Sequence, residues 1–408
     1  MITLVIPWYG PDTTGGAENQ ARSLVQALHA IGVGVRVWAS TGRDAFHPAD
    51  TDHYPPGEQF LDGVPLWRFR LSAPDERGVP RFFQRQPERL PALQRFAPHE
   101  LRLLATLPSS DELYERIVVE RAETRFLFMP YPFPTSFWGT LLAPTTSYLL
   151  PCLHDEPYAR YATYRHLFAQ TQGMLANSHA EGSLAQRLYG LPTERICVTG
   201  EGIDRTAQGD GTRFRANYEL GDRPLLLYLG RRDTGKNLPL LLAYVREYVA
   251  RRGNDLLLLT AGQGTPHVPW TCYDPRLASA LSPPHAMPPL RELGFLDQQS
   301  KHDACAAATI FVQPSLHESF SIVLMEAWLQ GTPALVHAEC AVTADHVRRS
   351  GGGFSFHDFG EFAVALDQLL SNPQLRQALG ARGRAYVHQT CRWADVARKT
   401  ADFVARAS

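Results

Sequence analysis

IFVQPSLHESFSIVLMEAWLQGTPALVH, residues 310–337, is the stretch that decides the fold of this 408-residue chain. It contains a short apolar run at Ile310–Gln313, a helical pattern at about 319–330 and a second apolar run at Ala334–His337. Continuous apolar runs of this length are typical of parallel strands that are buried on both faces. The order strand, helix, strand therefore predicts a β/α unit of a doubly wound sheet.

The same alternation of strand and helix runs through the rest of the chain. Further strands are predicted at Ile2–Pro7, Gly34–Ser40, Pro65–Arg70, Arg125–Tyr131, Thr146–Cys152, Gly173–Ser178, Ile196–Gly200, Leu225–Leu229, Leu256–Ala261 and Leu290–Phe295. Residues 203–212 separate two series of elements, because this stretch is rich in polar turn formers. The sequence therefore predicts two α/β domains, 1–203 and 204–385, each with a Rossmann-like doubly wound sheet.

Composition and charge narrow the class of protein. The formal net charge is -1, so no overall positive field exists to hold nucleic acid, and we expect no nucleic-acid partner. The six cysteines are too widely spaced for a metal knuckle or a dense disulfide framework, which suits a reducing cytosol. The chain begins without a signal-peptide pattern, and no apolar run reaches the ~18 residues of a membrane helix. We expect a cytoplasmic protein.

Two glutamates, Glu318 and Glu326, lie eight positions apart within 310–337. Glu318 precedes the predicted helix, and Glu326 lies about two turns along it. The loop before this helix leads to unpaired backbone N–H groups and the positive end of the helix dipole, which suit anionic phosphates. The pattern predicts a phosphate-binding loop flanked by two carboxylates. The structural alternative is a helix-capping charge at Glu318 and a solvated Glu326.

This Glu-x7-Glu pattern, set among Pro-Ser, Glu-Ser-Phe and Glu-Ala, resembles the retaining GT-B glycosyltransferases of family 4, the glycosyl transferases group 1. The resemblance implies two facing Rossmann-like domains and a C-terminal helix, residues 386–408, that crosses back to the first domain. It also implies that domain 1–203 binds the acceptor and that domain 204–385 binds a nucleotide diphosphate sugar.

The same resemblance assigns roles around the two glutamates. Glu318 is expected to hydrogen-bond the transferred sugar, and Glu326 the ribose hydroxyls of the donor. The backbone of Ser319, Phe320 and Ser321 is expected to contact the donor. The sequence departs from the family at Ser321, where glycine is usual, and we expect the added side chain to tighten the approach to the backbone.

A basic loop, GRRDTGK from Gly230 to Lys236, follows the strand Leu225–Leu229. An arginine and a lysine five positions apart in a strand-to-helix loop can reach one diphosphate, the first as a bidentate fork and the second as a point charge. The loop is similar to the family's pyrophosphate clamp, with Arg231 and Lys236 in the matching places and Arg232 as a competitor. A solvated basic loop is the structural alternative.

Two features of the first domain also resemble the family. Gly15 and Gly16 join the first strand to the first helix, where paired glycines allow a positive φ and a close approach of phosphate or sugar. His154 follows a buried strand, and the resemblance places it near the transferred sugar and the acceptor. A metal site at His154-Asp155-Glu156 is disfavoured, because adjacent side chains rarely converge on one ion.

Gly262 and Leu296 are candidates for contact with the nucleotide base. Gly262 follows a predicted strand, and Leu296 lies in a Gly-Phe-Leu-Asp sequence that occupies the family's base-contacting position. A plain turn is the alternative for each. Asp50-Thr-Asp52 matches a metal-binding motif of another glycosyltransferase fold, but it lacks the strand that should precede it.

Together these residues predict a glycosyltransferase that uses no metal ion and no cofactor. A cationic clamp of Arg231 and Lys236 would stabilise the charge that develops on the leaving diphosphate. The family expectation is transfer with retention, and we expect His154, Arg231, Lys236 and Glu318 to be catalytic. The alternatives are a sugar-nucleotide epimerase or glycan phosphorylase of the same architecture, and a catalytically silent sugar-nucleotide-binding protein.

Residues 67–104 predict where an acceptor is met. The interval contains many arginines and no lysine, interleaved with Trp67, Phe69, Phe82, Phe83 and Phe96. Guanidinium groups bind phosphates, and neighbouring aromatics suit a membrane surface, so one interpretation is a lipid-linked glycan acceptor and peripheral contact with the inner face of the membrane. Solvated helices whose aromatics face the core are the alternative.

Overall fold

The chain folds into two α/β units. The computed structural model describes residues 1–11, 13, 15–45, 47, 51–72, 78–86, 93, 95–232, 236–253, 255–262 and 289–406. The first unit contains Met1–Gly202 and a C-terminal helix, and the second contains Ile203–Arg392. Each unit has its own sheet and its own apolar core.

The first unit is built on a sheet of eight described strands. They are β1 (Ile2–Ile6), β2 (Val35–Ser40), β3 (Gly57–Leu61), β4 (Val64–Phe69), β5 (Arg125–Phe128), β6 (Ser147–Leu149), β7 (Gly173–Ala176) and β8 (Ile196–Val198). Their spatial order is β3-β4-β2-β1-β5-β6-β7-β8, and only the β3–β4 pairing is antiparallel. The order turns back between β1 and β5, which is therefore the topological switch point of this sheet.

Helices cover this sheet. They are α1 (Gly16–Ala30), α2 (Arg81–Gln84), α3 (Pro98–Ala105), α4 (Asp111–Glu120), α5 (Pro134–Leu142), α6 (Ala162–Gln170), α7 (His179–Tyr189) and the C-terminal α15 (Trp393–Arg406), with short 3₁₀ turns at Pro144–Thr146, Pro157–Arg160 and Thr193–Arg195. α15 packs against α1 and buries Val396, Ala397 and Val404 in the core of the first unit.

The second unit has six described strands, all paired in parallel. They are β9 (Leu225–Leu229), β10 (Leu257–Ala261), β11 (Leu290–Glu292), β12 (Ile310–Gln313), β13 (Ala334–His337) and β14 (Gly353–Phe356), in the spatial order β11-β10-β9-β12-β13-β14. Its helices are α8 (Gly211–Asn217), α9 (Leu238–Arg252), α10 (Gln298–Ala307), α11 (Ile322–Leu329), α12 (Ala341–Ser350), α13 (Phe359–Ser371) and α14 (Pro373–Thr390). Two α/β units with parallel sheets confirm the predicted fold class.

Some elements differ from the prediction. The strands β9, β12 and β13 have the predicted bounds, whereas β3, β14 and α5 were not predicted. α5 is buried on almost every side, so it lacks the polar face by which an amphipathic helix is detected. β3 is an edge strand with alternating exposed and half-buried residues, and it has no continuous apolar run.

The second unit also extends beyond the predicted boundary at 385. α14 continues to Thr390, and Val387 and Cys391 are buried in the core of the second unit. Because these core contacts continue to Cys391, the segment that packs on the first unit begins at Trp393 and not at 386.

The aromatic side chains of 67–104 are core residues. Phe69, Phe82, Phe83 and Phe96 are each at most 7% exposed, and Trp67 packs against the same cluster. These aromatics therefore follow the alternative interpretation, in which they face the core, because the sheet and α5 bury them. Within the described ranges, no helix combines the length and apolar composition needed to cross a bilayer.

The arginines of the same interval differ in burial. Arg68 is 2% exposed, and its guanidinium lies 3.9 Å from the ring centroid of Tyr54. Burial lowers the pKa of Arg68 to about 10. Exposed side chains are found at Arg70, Arg81, Arg85, Arg95 and Arg102, whereas Arg77 and Arg89 lie outside the described residues.

Replacing Gly202 with alanine tests the packing of α15. A Cβ at Gly202 would lie 2.5 Å from the Trp393 ring, so the ring or the backbone must move. Overpacking of this kind costs about 1–3 kcal/mol, and we expect calorimetry to show a melting temperature lower by roughly 2–10 °C. Gly34→Ala is the control, since no atom lies within 4 Å of its added Cβ. Equal melting temperatures for the two variants would contradict the close contact.

Candidate functional site

The sheet of the second unit has its topological switch point between β9 and β12. From this boundary the chain order runs outward through β10 and β11 on one side and through β13 and β14 on the other. The loops at the carboxyl ends of β9 and β12 therefore diverge, and ligands of such sheets bind in the crevice between them. The register pairs Phe311 with Leu227, so the loops after Leu229 and Gln313 begin side by side.

Glu318 lies in the loop after β12, and its side chain is 11% exposed. Its Oε1 accepts hydrogen bonds from Lys236 Nζ at 2.7 Å and from Gln313 Nε2 at 2.8 Å. Because Lys236 belongs to the loop after β9, this contact joins the two loops across the switch point. The structure thus brings together two of the predicted site residues and adds Gln313, whose only sequence signal is a polar residue ending an apolar strand.

The loop reaches α11 through Ser321. This residue has a φ of 75° and is 6% exposed, and its hydroxyl donates to Gln313 Oε1 at 2.7 Å. α11 begins at Ile322, three residues later than predicted, because Ser321 has a left-handed conformation that cannot continue a helix. Ser319 is half-buried, and Phe320 is buried with its ring 5.2 Å from that of His346.

The two neighbouring arginines of the basic loop differ. Arg231 is exposed, whereas Arg232 is 9% exposed and its Nη1 lies 3.1 Å from Glu292 Oε2 at the end of β11. Arg232 is therefore paired at the sheet edge, whereas the exposed side chain of Arg231 is accessible to an anionic ligand. Residues 233–235 of this loop lie outside the described part of the chain.

Glu326 lies on α11 with its side chain 4% exposed. Its Oε1 accepts from Lys301 Nζ at 2.5 Å and from Gln298 Nε2 at 3.5 Å. Its Oε2 is buried and accepts no hydrogen bond from any described residue. A buried carboxylate oxygen without a donor costs free energy, so this atom suits a ligand hydroxyl.

The sequence analysis missed Lys301, although the composition carries a signal for it. Lysine is rare in this chain and occurs only at Lys236, Lys301 and Lys399. The first two each contact one glutamate of the Glu-x7-Glu pattern. Both predicted carboxylates are therefore paired with an ammonium group inside the same unit.

Gly262 follows β10 and supports the same edge of the sheet. It has a φ of 138°, and a Cβ there would lie 1.9 Å from Gly230 O, so both backbone angle and packing require glycine. Its N–H donates to Gly294 O at 2.8 Å. Leu296 is half-buried and packs against the core of the second unit. The presence of glycine at position 262 is therefore explained by close packing between the loops.

In the first unit, the glycine pair precedes α1. Gly15 is the N-cap with a φ of -70°, and Gly16 is the first helical residue, so neither has the positive φ that we expected. The loop before them is fixed instead by Arg22, which donates to Thr13 Oγ1 at 2.7 Å and to Thr13 O at 3.1 Å. A Cβ at Gly15 would lie 1.8 Å from the carboxylate end of the flexible Glu18 side chain, which would have to move.

His154 lies in the loop after β6, with its side chain 27% exposed. Its Nδ1 lies 3.5 Å from Glu156 Oε1. The preceding Leu153 N–H donates to the buried carboxylate of Glu181 at 2.6 Å, and the Asn177 N–H donates to the same group. Burial raises the pKa of Glu181 to about 8, and these backbone N–H groups oppose that rise. The loop that carries His154 is thus tied to the end of β7.

The acidic pair at 50 and 52 is not described as a pair. Asp50 lies outside the described residues, whereas Asp52 Oδ1 accepts hydrogen bonds from the Thr41 hydroxyl and, at 3.2 Å, from the Leu71 N–H. Asp52 therefore links two loops of the first unit, which is a structural role.

Residues 211–386 match the family model described as Glycosyl transferases group 1. This chain carries a group 1 glycosyl transferase domain. The match lies within the second unit and includes Arg231, Lys236, Glu318 and Glu326. The match confirms the resemblance to the glycosyl transferases group 1.

Known proteins support the same family and fold. The D-inositol 3-phosphate glycosyltransferase 2 of Catenulispora acidiphila is 30% identical over 271 residues, which are 62% of this chain and 60% of that protein. For two further relatives with the same kind of name the aligned share is 57% and 52%, so the chain matches little more than half of each.

Two solved structures cover nearly the whole chain. Sucrose-phosphate synthase of Thermosynechococcus elongatus has a TM-score of 0.68 at 17% identity, over 99% of this chain and 98% of that chain. HepE of Anabaena, solved with UDP-glucose, has a TM-score of 0.67 at 14% identity and covers 99% of both chains. At these identities the likeness shows the fold, which is GT-B.

Lys301→Met tests the charge balance inside the group 1 glycosyl transferase domain. The change leaves the Glu326 carboxylate buried without its cation, and we expect the free energy of unfolding to fall by about 3 kcal/mol in urea titrations. Arg348→Met is the matched control, since Arg348 pairs with Asp345 but is 75% exposed, and should lose less than about 1 kcal/mol. Equal losses would show that Lys301 does not compensate a buried charge.

Proposed function

We propose that this chain is a retaining glycosyltransferase that transfers a sugar from a nucleoside diphosphate sugar to a hydroxyl of a glycan or glycolipid. The observation that carries the proposal is the contact of Lys236 with Glu318 across the switch point. In this contact a cation meets the carboxylate that we propose binds the sugar, at the edge where ligands of doubly wound sheets bind.

The donor would occupy the group 1 glycosyl transferase domain. Glu326 Oε2, which accepts no hydrogen bond from the described residues, would accept one from a ribose hydroxyl. The diphosphate would lie between Arg231, Lys236 and the N-terminus of α11, whose first N–H groups have no partner within the helix. Leu296 and Gly262 lie at the neighbouring strand ends, on the side where we propose that the base binds.

Bond cleavage builds negative charge on the leaving diphosphate, and fixed cations stabilise that charge without reorganising. The C1–O bond to the phosphate breaks, and the acceptor oxygen bonds to C1 on the same face. The acceptor proton passes to the leaving phosphate oxygen. In this proposal Glu318 orients the sugar, and His154 of the first unit contacts the sugar or acceptor. Because Arg231 and Lys236 supply the positive charge, no metal ion is needed.

The first unit would bind the acceptor. Its exposed arginines, among them Arg81, Arg85 and Arg102, support an acceptor that carries phosphate or another anionic group. The buried aromatics of the same interval do not support insertion into a membrane. The proposal is therefore an anionic or lipid-linked glycan bound through its polar part.

Removing the clamp should abolish most of the activity. We expect Arg231→Ala and Lys236→Ala each to lower turnover roughly 10- to 1000-fold, measured as nucleotide release from a panel of UDP-, GDP-, ADP- and dTDP-sugars. The wild-type rate should be unchanged in EDTA. Arg223→Ala is the control, because this 43% exposed arginine lies 3.7 Å from Asp255 and away from the proposed site; its rate should match the wild type.

Three outcomes would count against this account. If no nucleotide sugar in the panel is turned over with or without added glycan, the proposed transfer reaction is contradicted and a binding role is favoured. Full activity in the double variant of Arg231 and Lys236 would show that turnover does not depend on these two cations. Loss of the wild-type activity in EDTA would show that a metal ion is needed for the reaction.

The stereochemistry of the product tests the retaining course. With an α-linked donor sugar we expect an α-linked product, because the acceptor attacks the face from which the diphosphate leaves. Proton NMR of the product formed early in the reaction measures the anomeric configuration. A β-linked product would contradict retention and would favour His154, paired with Glu156, as a general base for an inverting displacement.

A further inference from the structure

Ser321 has a backbone conformation that its side chain disfavours. Its φ of 75° lies in the left-handed region, which costs most L-residues free energy because Cβ crowds the backbone. Glycine adopts this region without that cost. What serine adds here is a hydroxyl group, and that hydroxyl is buried and hydrogen-bonded to Gln313 Oε1 at 2.7 Å.

This hydrogen bond holds the Gln313 amide in the orientation that the acceptor-only carboxylate of Glu318 requires. Since Oε1 accepts from Ser321, the Nε2 end of the amide points to Glu318 and donates to its Oε1 at 2.8 Å. A reversed amide would place two acceptors against each other at the carboxylate, which cannot donate, and the Ser321 hydroxyl would have to accept from Nε2. Ser321, Gln313 and Glu318 therefore form a hydrogen-bond chain, in which each residue donates to the next.

Gln313 and Lys236 hold the same carboxylate oxygen but differ in rigidity. Gln313 is 2% exposed and ends β12, a strand paired on both sides. Lys236 is 23% exposed and lies on a loop. A diphosphate bound at this loop would compete with Glu318 for the Lys236 ammonium group, whereas the amide of Gln313 is not drawn to an anion in this way. The strand-borne contact is the one that can persist while donor is bound.

We propose that Ser321 and Gln313 are positioning residues that hold the Glu318 carboxylate in place for the transferred sugar when Lys236 turns to the diphosphate. The inference rests on the proposed function and extends it to two residues that need not touch the donor through their side chains. Ser321 acts through Gln313, and Gln313 acts through Glu318.

The expected kinetic effect of breaking this hydrogen-bond chain follows from its role in orienting the sugar. An orienting contact matters most when the sugar reaches the transition state, so its loss lowers kcat more than it raises the donor KM. We expect Ser321→Gly and Ser321→Ala to lower kcat by a similar factor of about 10, with the donor KM changed less than about twofold. Ser321→Ala keeps the strained backbone, whereas Ser321→Gly relieves it. The melting temperature of Ser321→Ala should therefore be the lower of the two.

The pair of Ser321 variants separates orientation from stability. If kcat follows the melting temperature, so that Ser321→Gly is close to the wild type and Ser321→Ala is slow, the hydroxyl has no role and the proposal is overturned. Thr332→Val is the control, since Thr332 also has a buried hydroxyl bonded to a carbonyl, that of Cys305 at 2.6 Å, outside the chain of contacts. Its kcat should stay within about twofold of the wild type.

A double-variant cycle tests the order of the chain. Gln313→Leu should lower kcat at least as much as Ser321→Gly, and the double variant should be no slower than Gln313→Leu alone, because both changes break one chain. Multiplied effects would overturn the proposal. The assay uses the nucleotide sugar from the UDP-, GDP-, ADP- and dTDP-sugar panel that the wild type turns over fastest. Absence of any turnover by the wild type contradicts the proposed function, whereas wild-type kinetics in both single variants contradict only this inference.

Discussion

The parallel pairing of β9 with β12 is the constraint on which the candidate site depends. It places the loop after Leu229 beside the loop after Gln313, although more than eighty residues separate them in the chain. Without this pairing Lys236 could not reach Glu318, and the basic loop would be an ordinary solvated turn. The chemistry of the second unit thus follows from strand order, since the switch point brings a cation and a carboxylate to one edge.

Each glutamate of the site is paired with a lysine. The Glu318 and Glu326 side chains are 11% and 4% exposed, and a carboxylate at such positions is costly unless it is paired. The two Glu–Lys pairs differ in how they could bind a ligand. Glu326 keeps a buried oxygen without a donor among the described residues, which suits a fixed ligand hydroxyl. The Lys236 contact would have to change if that ammonium group is to meet a diphosphate.

The sequence predicts the second unit better than it predicts the contacts within it. β9, β12 and β13 have the predicted bounds because continuous apolar runs mark strands that are buried on both faces. The residue types at Arg231, Lys236 and Glu318 follow from spacing and family resemblance. The rarity of lysine singles out Lys301, but its contact with Glu326 depends on side-chain direction, and the Ser321 hydrogen bond depends on a left-handed residue, so neither contact could be predicted from periodicity. Similarly, α5 is buried all round and shows no polar face.

A crystal structure of the chain with UDP bound is the most direct measurement of the central claim, that the second unit holds a nucleoside diphosphate at its switch point. The account predicts the diphosphate within hydrogen-bonding distance of Arg231 and Lys236, and a ribose hydroxyl bonded to Glu326 Oε2. It also predicts that Gln313 still donates to Glu318. A diphosphate bound by other residues, with the Lys236–Glu318 and Lys301–Glu326 contacts unchanged and Glu326 Oε2 unused, would contradict it.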